Sequence, residues 1–158
     1  MLRREGELLA DAAERAGLDA AVPPCPPWRV KDLLRHTGYI HRWAARHITE
    51  RPAQIIDGPP EAEILSGGAP DSELLAWFRA GHAALAETLA TADPTLEYAA
   101  FMAAPSALAF WARRQAHETA IHRADADSAA KTTPEYPAEF AADEIGRASC
   151  RERVCLGV

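Results

Sequence analysis

The sequence predicts an all-α protein built as a four-helix bundle, and three observations carry that reading. Ala supplies 35 of the 158 residues, and the 17 basic residues divide into 15 Arg and two Lys; Ala costs least to place in a helix and Arg little more. Apolar residues recur at steps of three and four along four separate segments. The strict apolar–polar alternation of a half-buried strand is scarce.

The first helix is expected over Leu2 to Ala16, where Leu8, Leu9, Ala12 and Ala16 form one stripe and Gly17 supplies the stop. Val22 to Pro27 is too rich in Pro to be helical, because Pro lacks the N–H donor and restricts the residue before it. The second helix is expected from Trp28 to Thr49, with Leu33, His36, Ile40, Trp43 and His47 on one seam. Arg51 to Pro70 carries Gly58, Pro59, Pro60, Gly67 and Gly68 and reads as a long irregular loop able to cover a site. The third helix opens at Asp71 or Ser72, whose side chains can accept first-turn N–H groups, and runs to about Ala92 along Leu74, Phe78, Gly81, Leu85 and Leu89. The fourth opens at Pro105 or Ser106 and runs to about Ala126, with Leu108, Trp111, Gln115, Glu118 and His122 as its seam. Short connections favour antiparallel neighbours, and the long second connection allows an exception.

Composition narrows the classes of function. A hydrophobic share of 48% with 25% charged residues belongs to a globular chain. The most apolar stretch, Ala99 to Ala112, is too short to span a membrane and is broken by Pro105. The first residues, with Arg3, Arg4, Glu5 and Glu7, lack the apolar core of a secretory signal. A net charge of −6 leaves no basic footprint for nucleic acid. A cytoplasmic protein is expected, with neither nucleic acid nor membrane as partner.

Residues Glu144 to Val154, EIGRASCRERV, break the Ala-rich pattern, and back-translated they resemble in-frame read-through of a common short-read sequencing adapter. The expectation is a native domain over residues 1–143 and a non-native tail over 144–158. Setting Cys150 and Cys155 aside with that tail leaves Cys25, which alone cannot close an internal disulfide, in keeping with a reducing compartment. Its role is read as structural.

Polar residues in the seams point to chemistry. Glu118 and His122 lie one helical turn apart on one face, and burying a carboxylate and an imidazole is costly unless they are paired or coordinated. His36, on the seam of another helix, can approach the same point. Three protein ligands with an open fourth position is the arrangement of a catalytic zinc; a plain ion pair between Glu118 and His122 is the alternative. His117 is the rival ligand, although it points about a quarter-turn away. Asp32 and Asp125 are spaced so that either can hold a ligand imidazole, although a solvated carboxylate is the favoured reading for each. His41, His47 and His82 read as solvated or satisfied by backbone carbonyls, and Trp28, Trp43, Trp77 and Trp111 as core. Arg113 and Arg114 read either as a solvated face or as sites for an acidic substrate. Dinucleotide, Walker A and serine-hydrolase signatures are missing.

Two stretches then carry a resemblance. VPPCPPWRVKDLLRH, Val22 to His36, followed by His41-Arg42-Trp43-Ala44, and FWARRQAHETAIHRADA, Phe110 to Ala126, together resemble the N-terminal, DinB-like domain of the mycothiol-dependent maleylpyruvate isomerase family, over residues 1 to about 143. The resemblance implies a four-helix bundle holding a divalent metal, zinc, on His36, Glu118 and His122. It implies mycothiol as thiol cosubstrate, held as the nucleophilic thiolate, and a small electrophile such as maleylpyruvate as second substrate. In the isomerase, addition of the thiolate, rotation about the resulting single bond and elimination give the trans isomer. Other members are similar to thiol transferases, and a non-catalytic metal-binding or regulatory bundle is the alternative. The Ala and Arg usage agrees with the actinobacterial distribution of mycothiol. The family's usual second, C-terminal domain does not follow in this sequence. A monomer or a homodimer is expected.

Overall fold

The computed structural model describes residues 1–95, 97–101 and 104–142. The adapter-like tail therefore lies outside the described residues. Helix α1 spans Leu2–Ala16 as expected and ends at Gly17, whose φ of 82° is the left-handed geometry that suits glycine. A connector follows, folded on itself by the Val22 N–H to Trp28 carbonyl bond at 3.0 Å and a bridge between Ala21 and Arg29. It keeps Trp28 out of the next helix, so α2 spans Val30–Glu50 rather than starting at Trp28. Asp32 caps that helix, its Oδ2 accepting from the Arg29 N–H at 2.8 Å.

The segment read as an irregular loop contains a short helix, α3, over Glu61–Ser66. Pro60 precedes it and Glu61 and Glu63 fall in its first turn, where carboxylates suit the exposed N–H groups; Ile64 is its buried anchor. Helix α4 spans Leu74–Thr91 behind a 3-10 turn at Asp71–Glu73. Neither Asp71 nor Ser72 caps it through its side chain, because the Asp71 carboxylate is taken by Arg35 at 2.6 Å. Helix α5 spans Ala107–Ala129, and Ser106 caps it by accepting from the Ala109 N–H at 3.1 Å. Among the described residues there is no strand and no helix long and apolar enough to cross a membrane.

The four long helices close a ring in the order α1, α5, α2, α4, with α1 on α5 and α2 on α4 as the most extensive contacts. Short connections were expected to join neighbours. The reverse is found: α1 and α2 sit diagonally, as do α4 and α5, while the long connection joins the adjacent pair α2 and α4. The Pro-rich connector is rigid enough to carry the chain across the end of the bundle.

Two apolar clusters fill the interior. One holds Leu9, Ala13, Val30, Leu33, Leu34, Leu74, Phe78 and Ala126; the other holds Ala44, Ile48, Leu85, Phe110 and Trp111. Between them, along α2, α4 and α5, runs a layer of buried polar side chains: His36, His41, His82, Gln115, Thr119 and His122. Cys25 is buried and disulfide-bonded, which corrects the expectation of an isolated thiol.

Candidate metal centre

The polar layer brings His36, Glu118 and His122 together. One potential ligand atom from each lies within 4.8 Å of the others: Glu118 Oε1 is 3.8 Å from His36 Nε2 and 3.5 Å from His122 Nε2. Both imidazoles are nearly sealed, with 4% of each side chain exposed, while Glu118 keeps 14%, so the cluster opens to solvent on the carboxylate side. Trp28 packs beside both imidazoles, its ring 5.0 Å from that of His36 and 6.3 Å from that of His122.

The other ring nitrogens are already committed. His122 Nδ1 meets Asp125 Oδ2 at 3.0 Å and His36 Nδ1 meets Glu61 Oε1 at 2.9 Å. A carboxylate can only accept, so each Nδ1 carries the proton and each neutral ring turns its Nε2 lone pair toward Glu118. Two lone pairs and an anionic oxygen then converge with no donor among them; His36 Nε2 is buried without a hydrogen bond. Such a set needs a cation. In the metal-free chain protons serve: although burial opposes its charge, hydrogen bonds donated to Asp125 and Glu118 hold the His122 pKa at about 9. Burial likewise opposes the charge on Glu118, but the two histidines and Arg114 hold its carboxyl well below the usual carboxylate range. A tetrahedral ion with bonds near 2.0–2.1 Å spaces its ligand atoms by roughly 3.3 Å, close to the separations here. The residues fit a divalent metal, and the carboxylate behind each imidazole is the usual means of aiming a ligand histidine.

The remaining expectations divide. Asp125 stands behind His122, buried rather than solvated. Asp32 does not serve His36, because it caps α2; Glu61 takes that place. Sequence reading missed Glu61 by treating its segment as loop, although Pro60 ahead of two carboxylates marks a helix start. His117 is buried away from the cluster, its ring stacked 4.8 Å from Phe140. His47 and His82 are satisfied by backbone carbonyls, those of Trp43 at 2.8 Å and Arg3 at 3.1 Å. His41 is neither solvated nor bound to a carbonyl: it is fully buried, with Nε2 on Thr119 Oγ1 at 2.9 Å, and burial keeps its pKa far below the usual imidazole value. Trp111 and Trp28 are buried as expected, while Trp43 and Trp77 are partly covered.

No curated protein and no solved structure matches the chain. The family model described as the mycothiol maleylpyruvate isomerase N-terminal domain matches residues 2–127, a stretch that contains the connector, all three members of the cluster and Asp125. On that match, over most of its length, the chain belongs to the mycothiol maleylpyruvate isomerase N-terminal domain family.

Proposed function

We propose that this chain is the divalent-metal-binding domain of a mycothiol-dependent isomerase or thiol transferase, with zinc held by His36, Glu118 and His122. The observation that carries the reading is the convergence of two Nε2 lone pairs and one carboxylate oxygen, each imidazole oriented from behind by its own carboxylate. When bound, a divalent cation supplies Lewis acidity, which lowers the pKa of a coordinated thiol and so favours its nucleophilic thiolate.

The chain's own residues do the rest. Asp125 and Glu61 fix the tautomers, so that both rings present Nε2 to the ion. Trp28 covers one flank and keeps water from it, while the exposed edge of Glu118 leaves an approach for the thiol and a small electrophile such as maleylpyruvate. The native domain is proposed as residues 1–143, residues 144–158 as adapter read-through, and the compartment as the cytoplasm.

Metal analysis by mass spectrometry, on protein purified without a metal-affinity tag, tests the reading. About one zinc per chain, lost from Glu118→Ala and His122→Ala, supports it; a folded wild type without metal overturns it. Mycothiol-dependent conversion of maleylpyruvate then separates an enzyme from a metal-bearing bundle without turnover.

A further inference from the structure

Arg114 stands one helical turn before Glu118 on α5, and among the described residues its Nη1 has no hydrogen-bond acceptor. Three other partly or largely covered arginines each donate to two or more protein acceptors. Arg123 donates to Glu5, Asp127 and the Glu135 carbonyl. Arg42 donates to the carbonyls of Gly38 and Trp77, and Arg35 to Asp71 and two carbonyls. Arg114 has only 18% of its side chain exposed, yet its Nη1 is buried with no hydrogen bond. Among the described residues its ion-pair partner is Glu118, Nη1 lying 3.4 Å from Oε2, the oxygen turned away from the two imidazoles. A guanidinium carries five donors in a planar fork, and covering it without acceptors is expensive.

Its surroundings define what would answer it. The guanidinium carbon lies 5.8 Å from the centre of the Trp43 ring and 5.5 Å from that of Phe101, and Phe101 is half exposed. The fork is thus bordered by two aromatic faces at the open edge of the metal centre. Aromatic walls suit a flat organic acid better than a heavily hydrated inorganic anion, and the fork matches a carboxylate in bidentate geometry.

We propose that Arg114 is a substrate-selecting residue that holds a carboxylate of the electrophile beside the metal centre, so that this domain takes organic acids in preference to neutral electrophiles. The assignment rests on the metal-centre reading above. It adds a binding group supplied by the chain, and it gives a hydrogen-bond acceptor to the buried Nη1, whose ion-pair contact with Glu118 spans 3.4 Å.

Isothermal titration of the zinc-loaded full chain with succinate, an unreactive dicarboxylate, tests it, with dimethyl succinate and inorganic phosphate as comparison ligands. Metal content and thermal melting are measured on the same samples. The expected result is succinate binding that weakens about ten- to a hundredfold in Arg114→Gln at unchanged metal content, intermediate affinity in Arg114→Lys, and weaker binding of the diester and phosphate to the wild type. Succinate affinity unchanged in Arg114→Gln would place the anion on the metal alone and overturn the proposal. So would phosphate or the diester binding as well as succinate. Loss of zinc from Arg114→Gln would also overturn it, since Arg114 would then serve to position Glu118. A wild type without zinc refutes the metal centre instead, and the same succinate titration of that protein and of Arg114→Gln still decides the role of Arg114.

Discussion

Replacing Asp125 by Asn leaves a side chain that can still accept from His122 Nδ1 but removes the negative charge behind the ring. Asp125 is buried, with 2% of its side chain exposed, and touches Nδ1 at 3.0 Å. Glu61 makes the matching contact to His36 at 2.9 Å, but 44% of its side chain is exposed, so water screens its charge. Loss of a carboxylate behind a ligand histidine costs about 10- to 100-fold in metal affinity, or about 1.4 to 2.8 kcal/mol at 1.4 kcal/mol per decade. Burial puts Asp125→Asn near the upper end of that range and Glu61→Gln near the lower. Competition of each variant with a chromophoric zinc chelator reads both constants directly. Equal losses, or a larger loss in Glu61→Gln, would refute the argument that burial sets the strength of these contacts.

Other expectations follow from the same geometry. In metal-free protein His122 is held at about 9 against an ordinary 6.5, and His36 is raised as well, its two carboxylate partners outweighing burial. The stabilisation from these protonated rings is therefore complete below about pH 6.5 and lost as pH climbs through 9. Melting of the chelated chain should fall across that window, while zinc affinity, which needs the rings neutral, should rise; a flat melting profile refutes the assignment. Arg123→Met strands the fully buried Glu5, whose Oε2 lies 2.9 Å from Arg123 Nη1 and whose Oε1 has no partner. About 3–5 kcal/mol should be lost, roughly 6–20 °C in melting temperature, and the double variant with Glu5→Leu should recover much of it. Gly6→Ala would gain helix propensity, but its methyl group would collide with the His82 ring; a net loss of about 1–3 kcal/mol is expected by denaturant melting.

Much of the bundle was legible from local patterning. The stripe in α1, with Gly17 after it, gives that helix its observed limits, and Ser106 caps α5 as its chemistry suggests. His36, Glu118 and His122 were legible as a meeting point because each interrupts an apolar seam. What escaped depended on tertiary competition. Asp71 reads as a cap until Arg35, far away in sequence, claims it, and Asp32 reads as a ligand's partner until the end of α2 claims it. Glu61 reaches His36 from a short helix inside a segment whose Gly and Pro content reads as loop, the start signal at Pro60 being masked by its neighbours. From sequence alone Arg114 reads either as part of a solvated face or as a site for an acidic substrate, and its place beside Trp43 and Phe101 favours the second. The buried face of α5 carries His117, Arg123, Asp125 and Asp127 beside its apolar residues, so polarity along that helix is a poor guide to burial.

The order of helices around the bundle bears on how the protein comes into being. Helix α1 finds its most extensive packing partner in α5, at the other end of the folded region, so its apolar stripe has to wait for nearly the whole chain to be made. Long-range pairing of this kind slows closure, because chain entropy is spent before contacts repay it. During synthesis, at about 5–20 residues per second, α2 and α4 can pair early, but no ion can be captured by the full set of ligands until α5 has left the ribosome with Glu118 and His122. With the proposed ligand set, metal loading would thus be bound to the last step of folding, and a nascent chain that stalls before α5 would expose the stripe of α1 to chaperones rather than a half-built site to the metal pool.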